Sequence, residues 1–525
     1  MANIISYFVA ESHDHGDNSG DNSGDNSNRL ALASYATVSR VWQHRVEAMT
    51  FAHINLDPAR LASPLAAQAL TPDRVRRFVR SIGINVLLPP YDEQARGRPE
   101  DEADRAKNDG VFTDVVRRVF ELLAGVPGSQ QQQQKEQRAG VDADYRPKIQ
   151  LSLTASCVSD AEDIEARKFE RDLGRSSDML EGRYESSYLD LKPAAGKSVQ
   201  NEAQALPEIY CIKGFRVHGT LHYGRRDFTQ RYFAPRAVCL MASRMPGLES
   251  IHWSLCDNEK RDIALRKRLR ADFASAIQTL PSSLQNFQLH YTRSIPLDHS
   301  FQTPSILDET DRENNNNDKL SLALHKLSQR LTEFRLTADV GSEVLWPLER
   351  TQSDPDGPLW PTMRDYFINP GAITPSGQWR FQRSDDESDY ESDSVSSDLD
   401  PLVAPGDETE DPFRTQLDRD AVNSLLLAAA RAVRRMPALR WMHFTVGPPV
   451  GAMRLNVKYM VEGVASRRGG GGGGDGDEGG VAELTVHCSP VFHPDEEVLQ
   501  IWREAAEQHA GDKSGVVVVV RDPRK

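Results

Sequence analysis

The chain has 525 residues, 77 acidic against 63 basic side chains, 38% hydrophobic and only 7% aromatic content. That length allows roughly two to four domains or one elongated array, and no apolar run approaches the ~20 residues of a membrane span. The five cysteines (Cys157, Cys211, Cys239, Cys256 and Cys488) lack C-x-x-C spacing, which points to reduced intracellular thiols and away from a disulfide frame or zinc site.

Along the chain, Met1 to Val9 lacks the basic flank of a secretory leader, so the expected location is intracellular, cytoplasmic or nuclear. Residues 16–27 repeat Gly-Asp-Asn-Ser three times and predict a disordered insert over 11–28. Arg29 to Met49 predicts a helix in which Tyr35, Val38, Trp42, Val46 and Met49 share one face, with Trp42 and Val46 expected in the core.

A six-residue pattern follows, with an apolar residue at positions 1, 4 and 6. It occurs as Phe51/Ile54/Leu56, Val79/Ile82/Ile84, Leu248/Ile251/Trp253, Leu284/Phe287/Leu289, Leu331/Phe334/Leu336, Leu439/Met442/Phe444 and Val481/Leu484/Val486. Alternation at positions 4 and 6 predicts a short strand with one buried face. Four copies follow helical stretches (Val238–Met241, Phe273–Ile277, Leu320–Leu327 and Leu426–Val433). A breaker separates helix from strand: Met245-Pro246-Gly247, Leu280-Pro281-Ser282, Leu327-Ser328-Gln329 and Met436-Pro437-Ala438. Helix, breaker and Leu-x-x-Φ-x-Φ strand are the logic of a leucine-rich-repeat solenoid. Gln130–Gln134, Asn314–Asn317, Gly469–Gly474 and an acidic block at 384–411 interrupt it and predict disordered loops. The acidic block holds twelve acids and no Lys or Arg; setting it aside takes the net charge from −14 to −2, which argues for neither nucleic-acid nor membrane binding.

No catalytic constellation emerges. Ala195-Gly196-Lys197-Ser198 ends like a phosphate loop, but Leu191 stands where its first glycine belongs. His13-Asp14-His15 sits beside the polar repeats and reads as a solvated loop. Arg225, Arg226 and Arg231 form a basic cluster without aromatic interleaving. His252, His290 and His443 fall at outward strand positions, whereas Trp253 and Phe444 point inward. Ser384, Ser388 and Ser397 each have an acid three residues downstream and are phosphorylation candidates. No cofactor or metal is expected.

Ala-x-Val38-Ser39-Arg40-x-Trp42 running into Phe51-x-x-Ile54-x-Leu56 resembles the second half of an F-box. With Arg225–Ala237, Leu240–Trp253 and Ile277–Leu289, the chain is similar to a group of fungal F-box-like proteins with divergent leucine-rich-repeat-like bodies. The usual Leu-Pro opening of an F-box is missing. The resemblance implies a substrate receptor of a cullin-type ubiquitin ligase: a Skp-type adaptor would meet Ile4, Ile5, Leu30, Leu32, Tyr35 and Val38, and the strand faces would read an unknown target protein. The alternative is a scaffold whose N-terminal helices only cap the repeats. The expected organisation is α/β: a helical F-box-like module over 1–56, an irregular leucine-rich-repeat-like solenoid over 57–350, an insertion over 351–420, and further repeats over 421–525 with a Gly-rich loop at 466–480.

Overall fold

A computed structural model describes residues 38–96, 98–126, 148–160, 183–184, 186–192, 206–218, 231–257, 259–307, 317–347, 359–383, 405–409, 411–447, 455–461, 482–488, 492–510 and 517–521. The chain is mixed α/β and divides into two compact units, the first holding residues up to Ser254 with Leu280–Leu284, the second the remainder.

In the first unit, Ser39 accepts the Trp42 amide at 3.3 Å and opens α1 (Arg40–Thr50). Strand β1 (His53–Leu56) leads through three short proline-initiated helices, α2 (Pro58–Ala62), α3 (Pro64–Ala69) and α4 (Pro72–Phe78), to β2 (Ser81–Leu88). After α5 (Glu93–Arg96), Asp101 caps the long α6 (Glu102–Ala124). Then come β3 (Ile149–Cys157), β4 (Tyr188–Leu189), β5 (Ile212–His218), β6 (Tyr232–Phe233), α7 (Pro235–Ser243) and β7 (Ser250–Cys256). The strand order β1-β2-β3-β5-β7 is parallel throughout, and β4 pairs with β6 beside it.

The second unit contains α8 (Ile263–Ile277), β8 (Asn286–Thr292), α9 (Lys319–Ser328), β9 (Glu333–Ala338) and β10 (Asp365–Asn369). A small antiparallel pair, β11 (Phe381–Arg383) and β12 (Arg414–Leu417), precedes α10 (Arg419–Val433) and β13 (Trp441–Val446). The chain ends with β14 (Leu455–Val461), β15 (Ala482–His487), α11 (Glu496–Ala510) and β16 (Val517–Arg521). Strands β8-β9-β10-β13 are parallel; β14 then turns back antiparallel and β15 again, before β16 lies parallel to β15.

The six-residue pattern has a physical counterpart. Position 4 stacks on position 4 and position 6 on position 6 across paired strands: Ile54 faces Ile82 and Leu56 faces Ile84, while Phe287 faces Phe334 and Leu289 faces Leu336. The phenyl rings of Phe287 and Phe334 stack at 6.0 Å, and Tyr366 continues the row at 5.1 Å from Phe334. All these residues are buried, as are Trp253 and Phe444. The breakers form one turn in four places. The position-1 amide donates to the carbonyl three residues back, Leu248 to Met245 (2.9 Å), Leu284 to Pro281 (3.2 Å), Leu331 to Ser328 (3.1 Å) and Leu439 to Met436 (3.1 Å).

Several expectations are corrected. Two further strands obey the same pattern unread, Ile212/Phe215/Val217 in β5 and Met363/Tyr366/Ile368 in β10; β10 is a sheet strand inside the segment expected to be an insertion. The antiparallel β13-β14-β15 run is not a simple continuation of parallel repeats. The end of the acidic block packs: Lys260 pairs with Asp407, and the Asp298 amide donates to the Gly406 carbonyl at 2.9 Å. Gly406 has φ +86°, and a Cβ there would lie 2.7 Å from Phe301, so only glycine fits. Asn317, at the end of the asparagine run, is buried. The Gly-Asp-Asn-Ser repeats, Gln130–Gln134, Ala195–Ser198 and Gly469–Gly474 lie outside the described residues.

No helix among the described residues is long and apolar enough to cross a membrane. The five cysteines form no disulfide among the described residues; burial raises the Cys239 thiol well above its ordinary value and pushes Cys211 up to about 12. Such thiols resist ionisation and hence reaction.

Candidate interaction surfaces

The inward positions of β9, β10, β13 and β14 fill the core, so the alternate positions form the opposite face of the sheet. Glu333, Asp365, Trp441 and Met460 make one cross-strand row, and Arg335, Phe367, His443 and Lys458 make the next. The Arg335 guanidinium lies 5.5 Å from the Trp441 ring centre, with its Nε 2.5 Å from a Glu333 carboxylate oxygen. His443 meets Phe367 edge-on at 5.2 Å, and its Nε2 lies 2.8 Å from Asn456 Oδ1. Burial lowers the His443 pKa against the Asn456 contact, so the ring is neutral near pH 7. Burial and then the Glu333 charge raise that of Asp365. Met460 is 46% exposed. Trp, Phe, Met and Arg on one face is the composition that concentrates binding energy at protein interfaces. His443 thus lies in this patch; His252 and His290 occupy corresponding outward positions on β7 and β8.

A second apolar surface belongs to α1. Val46 is buried and Glu47 pairs with Arg74 at 3.4 Å, which fixes the inner side of the helix on the first unit. Val38, Val41, Trp42 and Met49 are 67%, 69%, 51% and 67% exposed. Trp42 was expected in the core and is instead on the outer side: the helical stripe identifies an apolar face without saying which part of it is covered. Of the six expected adaptor contacts, Val38 is exposed at the start of this surface, and Ile4, Ile5, Leu30, Leu32 and Tyr35 lie outside the described residues, as do Ser384, Ser388 and Ser397.

Arg231 is likewise not part of a surface cluster; Arg225 and Arg226 lie outside the described residues. Its guanidinium is buried and grips both Glu100 oxygens, at 2.8 and 2.6 Å, 3.8 Å above the Tyr184 ring. Nearby, Asp160 accepts from the Tyr91 hydroxyl at 2.8 Å and the Tyr184 hydroxyl at 2.5 Å, and Arg183 donates to the carbonyls of Ala95 and Arg98. These groups line or adjoin a polar cavity of about 210 Å³ at the carboxyl ends of β2 and β3. Arg231 and Glu100 neutralise each other, while hydroxyls hold Asp160 and carbonyls hold Arg183, which ties Arg183, Tyr184 and Arg231 to the strand ends. Sequence offers no signal for this cluster, because its members are up to 131 residues apart. Among the described residues, no group of His, Cys, Asp and Glu could hold a metal ion. No protein-family model matches the chain, and no curated protein matches it.

Proposed function

We propose that the protein is a non-catalytic interaction protein, the substrate-recognition receptor of a cullin-type ubiquitin ligase, with a degenerate F-box-like module ahead of a leucine-rich-repeat-like body. Support comes from the exposed apolar side of α1, a helix running directly into the first repeat strand, where the resembled family docks its Skp-type adaptor. The Trp441–Met460 patch supplies a separate face for a target protein. Its aromatic and thioether groups offer contact area, and Glu333, Arg335 and Lys458 around them set orientation.

Co-purification of the full-length chain with a Skp-type adaptor tests this. The expected result is capture that falls about tenfold in Trp42→Ser and Met49→Ser while the unfolding midpoint barely moves, since surface changes cost within ±0.5 kcal/mol. Trp441→Ala should leave adaptor capture intact. Absence of any enrichment of the wild-type chain with adaptor rejects the ubiquitin link and leaves the scaffold reading, in which α1 only caps the repeats; the buried Val46 and the Glu47–Arg74 pair support that reading.

A further inference from the structure

Arg364 and Arg440 directly precede β10 and β13, and the Arg440 amide donates to the Arg364 carbonyl at 2.8 Å, so the two arginines stand on adjacent rungs. Both residues line a cavity of about 240 Å³ together with Pro437, Ala438, Leu439, Val461 and His509. The Tyr459 hydroxyl lies 2.7 Å from His509 Nδ1, and burial lowers the His509 pKa, so the ring adds no charge near neutral pH. Among the described residues, no carboxylate lines the cavity.

Other charged groups on neighbouring elements are already engaged or point elsewhere. Glu333 is held by Arg335, and Lys458 faces His443 in the next strand. Asp365 attracts both arginines without forming an ion pair with either among the described residues. The Arg440 Nε is buried with no hydrogen-bond partner among the described residues. Arg364 is exposed and its charge is solvated, but the buried unsatisfied donor of Arg440 is costly unless an acceptor completes it. Guanidinium forks match the paired oxygens of a phosphate, and the cavity is too small for more than a small group.

We propose that this cavity is an oxyanion site in which Arg364 and Arg440 together grip a phosphate-type group. The group can be free inorganic phosphate or a phosphoryl carried by a partner's side chain; the chemistry is shared, and the test separates the sources.

Full-length protein at physiological salt is titrated with inorganic phosphate and followed by phosphorus NMR, and then with a phosphoserine peptide in competition. Binding is expected to saturate, and to weaken about tenfold in Arg440→Gln and in Arg364→Gln, because each removes one charge-assisted fork. Arg440→Lys, which keeps the charge without the fork, should lie between. A peptide that displaces phosphate at about tenfold lower concentration assigns the site to a partner-borne phosphoryl; a peptide that competes no better than phosphate assigns it to the free anion. Circular dichroism confirms folding, and the two Gln variants lie on different strands, so one folded variant suffices. Non-saturating signals, or saturation unchanged in a folded Gln variant, overturn the proposal.

Discussion

At the residue scale, buried charge is the sharpest determinant. Arg231 and Glu100 are each about 1% exposed and bonded through both oxygens. Replacing Arg231 by Met strands the Glu100 carboxylate, to which only the neutral donors Asn108 and Ser187 then remain bonded among the described residues, and a broken buried pair costs about 3–5 kcal/mol. Urea unfolding of Arg231→Met should show that loss, with partial recovery in the double variant carrying Glu100→Gln. His299 gives a pH signature. Its Nδ1 accepts the Arg414 amide at 2.8 Å, and burial, aided by the Arg414 charge, lowers its pKa from 6.5 to about 4. Between those values the unfolded chain binds the extra proton, so this contribution is full above about pH 6.5 and is lost as pH falls toward 4. The shift corresponds to on the order of 3 kcal/mol. The wild-type minus His299→Gln difference in unfolding free energy should fall across that window; a flat difference refutes the assignment. Neither residue's role was legible in the sequence, since a partner 131 or 115 positions away leaves no local mark.

At the element scale, the strands were legible because position 4 and position 6 obey an alternation that only a one-sided strand needs. The helix–breaker–strand order was legible for a related reason: proline or a polar breaker ends the helix, and the freed amide of the next leucine closes a turn. Strands β3, β5 and β10 escaped reading. In β3, Lys148 stands at position 1 ahead of Leu151 and Leu153, and in β5 and β10 Ile212 and Met363 take that place. The in-register rows make a direct prediction. Phe334→Ala removes the middle ring between Phe287 and Tyr366 and should cost about 3–5 kcal/mol, whereas Thr337→Ala, three residues on and facing outward, should cost under about 0.5 kcal/mol. Equal losses in denaturant unfolding would contradict the assigned faces.

At the scale of the whole molecule, the sequence conveyed class better than division. Mixed α/β character follows from alternating periodicities, but the two compact units divide within β7, where no composition shift or linker announces it. The candidate surfaces were half legible. Outward histidines marked the face holding His443, but the Trp441–Met460 row joins residues 19 positions apart on strands whose antiparallel return no pattern foretold.

The matched rows also bear on how the chain acquires its structure. Because Phe287 and Leu289 offer nearly the same sockets as Phe334 and Leu336, a strand emerging from denaturant finds several near-equivalent docking partners. Synthesis from the N-terminus presents those strands one at a time, whereas dilution from urea releases all of them together, favouring misassembly. Recovery of native protein by rapid dilution should therefore fall as protein concentration rises, and ribosomal production should escape that penalty.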